Sequence, residues 1–195
     1  NCHSICHTFV DVSADHQMTA DIAINAKVQR PSVCNSMETL LVHQDYDQAA
    51  FTELAERLRE QYKVEIRGCA ATVERLPWAT QATEQDYATE YNDYILNIKI
   101  VQSLDEALQH IAIYSTKHSE CILTADEAHA KRFMQEVDAA AVYHNASTRF
   151  TDGFEFGFGA EIGISTQKLH ARGPMGLPAL TSTKYKIYGN GQIRS

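Results

Sequence analysis

The sequence predicts an α/β protein: an open, mainly parallel sheet flanked by helices, followed by an irregular carboxy-terminal extension. Three observations predict it. Strand-like and helix-like periodicities alternate from His7 to Asn145. The connections between strand patterns are long enough for the crossovers that parallel pairing requires. The run Glu38-Thr-Leu-Leu-Val-His43 is apolar enough to be a strand buried on both faces.

His7-Thr-Phe-Val-Asp-Val12 alternates and is β-branched, which gives a first strand. Asp15 to Lys27 places Met18, Ile22, Ala23 and Ala26 at helical spacing. Pro31 cannot continue that helix and biases Arg30 away from helical geometry, so a turn is forced before the β-type run that begins near Met37. Asp47 to Gln61 repeats the helical period through Phe51, Leu54, Ala55 and Leu58, with Glu53 and Arg57 as a supporting pair. Tyr62 to Gly68 reads as a short strand and Ala70 to Leu76 as a short helix ended by Pro77. Trp78 to Tyr94 is polar, acidic and aromatic without a period, which predicts a long surface loop. Ile95 to Val101 is a strand, and Ser103-Leu-Asp-Glu106 is a capping box opening a helix through Tyr114. Glu120 to Thr124 is a strand, a helix spans Asp126 to Val137, and Ala140 to Asn145 is a further strand. From Thr148 glycines punctuate an irregular run, after which Thr183 to Tyr188 is one last strand-like piece.

At 195 residues, with 44% hydrophobic and 22% charged residues, the chain suits one sizeable soluble domain with an appendage. A net charge of -8 without a Lys/Arg cluster argues against nucleic acid as a partner. No window approaches the roughly 18 apolar residues of a membrane span. The chain opens at Asn1-Cys2-His3 without Met and without a signal-peptide pattern, which suggests a fragment whose preceding residues are cut away. Five cysteines, an odd number, point to reduced thiols in a cytoplasmic protein, where the Asn145-Ala-Ser147 sequon has no meaning. Cys2-His3 and Cys6-His7 lack the second ligand cluster of a structural zinc site, so no metal is expected and both cysteines read as residues leading into a strand.

Cys34 sits on the forced turn between a helix and a strand, the kind of junction where an open α/β sheet presents catalytic groups. Asn35 and Ser36 are candidates to cap a turn whose N–H groups would favour a thiolate. The bland reading of Cys34 is a small buried hydrophobe. Gly157-Phe-Gly159-Ala-Glu-Ile-Gly163 departs from GxGxxG and reads as close backbone packing, not a phosphate loop. Glu90 lies among Glu84, Asp86 and Asp93, a group whose default reading is solvated charge. Arg149 and Asp152 follow a strand end, and the carboxyl ends of parallel strands are where open sheets bind ligands.

Val28-Gln-Arg-Pro-Ser-Val-Cys34-Asn35, Val142-Tyr-His-Asn-Ala-Ser-Thr-Arg-Phe-Thr-Asp-Gly153 and Gly159-Ala-Glu-Ile-Gly-Ile-Ser-Thr-Gln-Lys-Leu-His-Ala-Arg-Gly-Pro-Met-Gly-Leu177 strongly resemble the gamma-glutamyl phosphate reductases, also called glutamate-5-semialdehyde dehydrogenases, of the aldehyde dehydrogenase superfamily. The likeness runs from Cys6-His7-Thr-Phe-Val-Asp11 to Gly191-Gln-Ile-Arg194. It implies an aldehyde dehydrogenase-like catalytic domain over residues 1–155. It implies a tail over residues 156–195, whose last strand pairs subunits into a dimer or larger homo-oligomer. It implies Cys34 as the nucleophile toward glutamyl 5-phosphate in proline biosynthesis, NADPH/NADP as cofactor, and Glu90 on the nicotinamide ribose. Ser147, Thr148 and Arg149 fall in the family's substrate-side loop, where Arg149 suits a glutamyl carboxylate. Against that pattern the chain lacks the amino-terminal half, with most of the NADPH-binding domain and the oxyanion-hole asparagine, so the fragment alone is expected to be inactive. Two further readings stand beside it: a non-catalytic folding and oligomerisation module, and a hydrolase pairing Cys34 with a histidine.

Overall fold

The computed structural model describes residues 3–195, so Cys2 lies outside the described residues. Seven parallel strands form one sheet: β1 (Cys6–Val10), β2 (Met37–His43), β3 (Glu65–Gly68), β4 (Thr80–Gln81), β5 (Ile95–Val101), β6 (Ser119–Leu123) and β7 (Ala141–His144). Their order is β4-β3-β5-β2-β1-β6-β7. Among the described residues no helix is long and apolar enough to cross a membrane.

Alternation along the strands sorts the core into two layers. Val10, Leu40, Val42, Leu96 and Ile98 pack with Ala23, Ile24, Phe51, Leu54 and Leu58 from α1 (His16–Val28) and α2 (Gln48–Glu60). Phe9, Leu41, Val101 and Ile122 point the other way, onto Leu104, Ala107 and Ile111 of α5 (Leu104–Tyr114) and Phe133 of α6 (Glu127–Glu136). Each of these helices starts where a short polar side chain caps an otherwise unpaired N–H: Asp15 for α1, Asp47 for α2, Ser103 for α5 and Asp126 for α6. The expected box at Ser103 is displaced by one residue, because Glu106 accepts from the Gln102 N–H at 2.8 Å, ahead of the cap.

Four expectations change. The stretch from Trp78 to Tyr94 is not one loop. It contains β4 and α4 (Glu84–Tyr87) after the short α3 (Ala70–Arg75). Its acidic group is not simply solvated either, since Asp86 receives Arg67 at 2.7 Å, the Tyr91 hydroxyl at 2.8 Å and both the N–H and hydroxyl of Thr83 at 2.7 Å. Desolvation opposes ionisation there, but these bonds outweigh it and hold the Asp86 carboxyl well below the usual carboxylate range. In the tail, β8 (Gly163–Ser165) and β9 (Gly173–Met175) form a small antiparallel pair, whereas Thr183 to Tyr188 forms no strand with the other described residues. Gly157 and Gly159 have φ of +79° and +67° with open space around them, so left-handed geometry requires them, not close packing.

Candidate functional site

The seven strands of the large sheet, β1 to β7, run the same way, so one edge of that sheet collects their amino ends. Cys34 lies on that edge. The chain leaves α1 at Val28, turns through residues 31–36, and enters β2 at Met37. This corrects the sequence expectation on one point: a helix-to-strand turn precedes its strand, so it cannot lie at the carboxyl edge where open sheets usually bind ligands. The turn closes with Ser36 N–H donating to the Val33 carbonyl at 2.9 Å. No helix begins there. Asn35 and Ser36 are buried and committed elsewhere, Ser36 donating its hydroxyl to the Ala26 carbonyl at 3.4 Å. Beneath the turn, the Cys6 thiol donates to the Cys34 carbonyl at 3.3 Å.

The other three predicted residues on the substrate side reach this edge by a reversal. After β7 the chain turns at Asn145, a non-glycine residue with φ of +54°, whose side chain bonds the Thr124 backbone. It then runs back past Ala146, which accepts from the Cys121 thiol at 3.1 Å, to Thr151, whose hydroxyl meets Ser119 at the amino end of β6 at 2.6 Å. The return segment therefore abuts the Cys34 turn. Asn35 stitches the two together: its amide donates to the Thr151 carbonyl at 2.9 Å, its carbonyl accepts from the Thr148 hydroxyl at 2.7 Å, and its side-chain oxygen accepts from Arg149.

Ser147 and Thr148 thus hold the loop by their hydroxyls. Ser147 accepts from the Arg149 N–H at 3.3 Å and Thr148 is fully buried. Arg149 is half-buried, its Nε donating to Gln29 at 3.0 Å. Burial, and next the like charge of Arg30, weaken its hold on its proton, while Asp152 and Cys34 act in the opposite sense. A pocket of about 220 Å³ opens here, lined by Asn25, Gln29, Arg149, Phe150, Asp152 and Glu155. A larger one, about 550 Å³, lies between α5 and α6, and none of the predicted site residues lines it. The smaller pocket is the relevant one, because Arg149, which bonds Asn35 beside Cys34, lines it.

Glu90 sits in the loop before β5, also at the amino edge. Its side chain is 10% exposed, with Oε2 3.4 Å from Nδ1 of His3. The loop is tied down by Glu38, the second residue of β2, whose carboxylate accepts from the backbone N–H groups of Tyr91 and Asn92. Glu38 in turn pairs with Lys27 of α1 at 3.0 Å, with side chains 1% and 0% exposed. Sequence reasoning passed over this pair, although a lysine on the apolar face of α1 and a glutamate inside an apolar strand were its visible signal.

The cysteines differ in environment. Burial, with Glu120 adding to it, raises Cys6 well above an ordinary thiol, and burial pushes Cys121 up to about 12. Cys34 and Cys69 are half-buried. Of the buried thiols none suits nucleophilic chemistry.

No family model matches the chain. It is 64% identical over 189 residues to gamma-glutamyl phosphate reductase of Clostridium novyi, covering 97% of this chain and 45% of that protein. The enzyme of the same name from Ligilactobacillus salivarius is 61% identical, over 97% of this chain and 46% of its own length. The crystal structure of gamma-glutamyl phosphate reductase from Thermotoga maritima superposes with a TM-score of 0.94 at 53% identity, covering 99% of this chain and 46% of that one. Lactaldehyde dehydrogenase, at 14% identity and a TM-score of 0.60, shares the fold over 74% of this chain and 39% of its own. The chain spans less than half the length of the curated relatives it matches.

Proposed function

Because the chain is homologous to gamma-glutamyl phosphate reductase over nearly its whole length, within the aldehyde dehydrogenase superfamily, we propose that it carries the catalytic nucleophile of such an enzyme. The reaction is reduction of L-glutamate 5-phosphate to L-glutamate 5-semialdehyde with release of phosphate, a step of proline biosynthesis in the cytoplasm. The observation that carries this reading is the junction of the Cys34 turn with the Arg149 loop through Asn35.

The chemistry follows from the groups present. A Cys34 thiolate attacks the acyl carbon, and the carbonyl π electrons move to oxygen. Their return expels phosphate and leaves a thioester on Cys34. Arg149, oriented by Gln29 and Asn35, is placed to hold the substrate carboxylate, and Ser147 and Thr148 keep its loop in position. When bound, reduced nicotinamide (NADPH) would supply a hydride to the thioester carbon, giving the thiohemiacetal as its alkoxide. Collapse of the thiohemiacetal expels the thiolate and frees the aldehyde. Glu90 fits the cofactor's needs as an acceptor for ribose hydroxyls, its loop anchored by Glu38, with the half-exposed His3 the group that gives way.

The test replaces Cys34 with Ala in a polypeptide of the relatives' full length. Loss of NADP-linked semialdehyde oxidation with phosphate, by about three orders of magnitude or more, is expected. Retained activity would overturn the assignment. Iodoacetamide mapping separates this reading from a purely structural module: native Cys34 should label ahead of Cys6, Cys69 and Cys121.

The tail supports a second copy of the chain as partner. Tyr185, Ile187 and Tyr188 are 87%, 91% and 90% exposed and have no strand partner among the described residues. Truncation after Thr181 should reduce the sedimenting mass of the full-length protein.

A further inference from the structure

The pocket beside Arg149 has a charge pattern that the chemistry at Cys34 leaves unused. Arg149 shares its wall with two carboxylates, Asp152 and Glu155, and two neutral amides, Asn25 and Gln29. Asp152 is fixed, because Oδ1 accepts from the N–H of Phe154 at 2.8 Å and of Glu155 at 3.3 Å. Arg149 is fixed as well, by Gln29 and Asn35, and its charge interacts with that of Asp152. Acidic residues alone would accept any cation and a guanidinium alone any anion. A guanidinium and two carboxylates lining one pocket of about 220 Å³ match a small zwitterion, with carboxylate and ammonium on one carbon.

We infer that Asp152 and Glu155 form a subsite for the α-ammonium of the substrate, whose α-carboxylate rests on Arg149 while the acyl end points to Cys34. This rests on the reading of Cys34 as nucleophile for the orientation, but not for the recognition. The subsite makes an α-amino acid the preferred substrate class over a plain dicarboxylic analogue of the same length. It has a chemical consequence too. Nitrogen held as an ammonium has no lone pair, so it cannot condense with the aldehyde formed at the far end of the same molecule while that product is bound.

The test compares L-glutamate with glutarate, which lacks only the ammonium, in the full-length enzyme and in its Asp152→Asn/Glu155→Gln variant. Asparagine keeps the oxygen that accepts from Phe154 and so preserves the turn. Binding is read by calorimetry, and the rate of Cys34 alkylation by iodoacetamide is read in parallel. L-Glutamate should bind the parent about tenfold more tightly than glutarate, and the variant should bring the two within about twofold. Equal binding by the parent, a preference that survives in the variant, or no binding of either ligand would overturn the subsite. If the ammonium-dependent binding is found but leaves Cys34 alkylation unchanged, the subsite stands and the orientation toward Cys34 is wrong.

Discussion

Lys27→Met is the sharpest test of how the site is held together. Lys27 is the last residue but one of α1 and Glu38 the second of β2, so their 3.0 Å ion pair clamps both ends of the connection that carries Cys34. Both side chains are essentially without solvent contact, so removing the cation leaves the Glu38 carboxyl buried without its counter-charge. Breaking such a pair costs about 3–5 kcal/mol. For a domain of this size that corresponds to a fall in Tm of about 6–20 °C, taking 2–4 °C per kcal/mol. Glu38 already resists ionisation: burial lifts its carboxyl to about 7, against the opposing pull of Lys27. The variant should therefore lose most stability at high pH and recover part of it as the carboxyl protonates on acidification. Lys27→Met/Glu38→Gln removes both charges but keeps a carbonyl for the Tyr91 and Asn92 N–H groups. It should return to within about 1 kcal/mol of the parent, since a buried pair contributes little net stability. Chemical denaturation of all four members of the cycle gives the coupling directly. A single variant within about 1 kcal/mol of the parent, or a double variant as unstable as the single, would refute the clamp.

Two buried histidines predict acid sensitivity. Burial lowers His118 to about 4 and His110 to about 2, so both stay neutral in the fold while the unfolded chain binds protons below about 6.5. The unfolded state then holds more protons, and stability should fall with falling pH by about 1.4 kcal/mol per unit for each group. His110→Phe, which keeps the ring contacts with Tyr87 and Tyr114, should halve that slope between pH 6 and 4.5, measured by denaturant titration at each pH. Thr148→Val deletes the buried bond to the Asn35 carbonyl and should cost about 1–3 kcal/mol, with altered Cys34 alkylation but unchanged labelling of Cys69. Gly153→Ala places a Cβ 2.4 Å from the Ala160 carbonyl, so faster amide exchange is expected in the 153–160 turn while β1 and β6 are unaffected.

Much of this architecture was legible because the signals are local. Asp15, Asp47, Ser103 and Asp126 sit where a helix needs a cap, and each does cap one. Pro31 announced the turn that carries Cys34. What failed depended on partners distant in sequence. Thr80-Gln81 is a strand only because Arg67 and Gly68 pair with it, and two residues carry no period. Thr183 to Tyr188 has the alternation of a strand, but no sheet edge among the described residues accepts it. The insertion of β5 between β3 and β2 is likewise invisible to periodicity. Asp86 read as one charge among several because Arg67, which it bonds, lies 19 residues away and is brought to it by the fold.

The placement of the site at the amino edge follows from the same distinction. Sequence order suggests that the Arg149 loop, following β7, stays at the carboxyl edge, and that rule would keep it a full strand length from Cys34. One residue overturns it. Asn145 adopts the left-handed geometry that asparagine tolerates, and its side chain occupies Thr124 at the carboxyl edge, so the backbone has to double back. The residues that follow then make sense as a series of ties leading back toward the amino edge: Ala146 at Cys121 and Thr151 at Ser119 of β6, then Thr148 at Asn35 of the Cys34 turn. The run of small polar residues between β7 and Gly153 is thus less a ligand-binding signature than the means of carrying one guanidinium to the opposite edge. The candidate site is consequently only as rigid as that return, and Asn35, which bonds both sides of the junction, is the residue on which its geometry depends most.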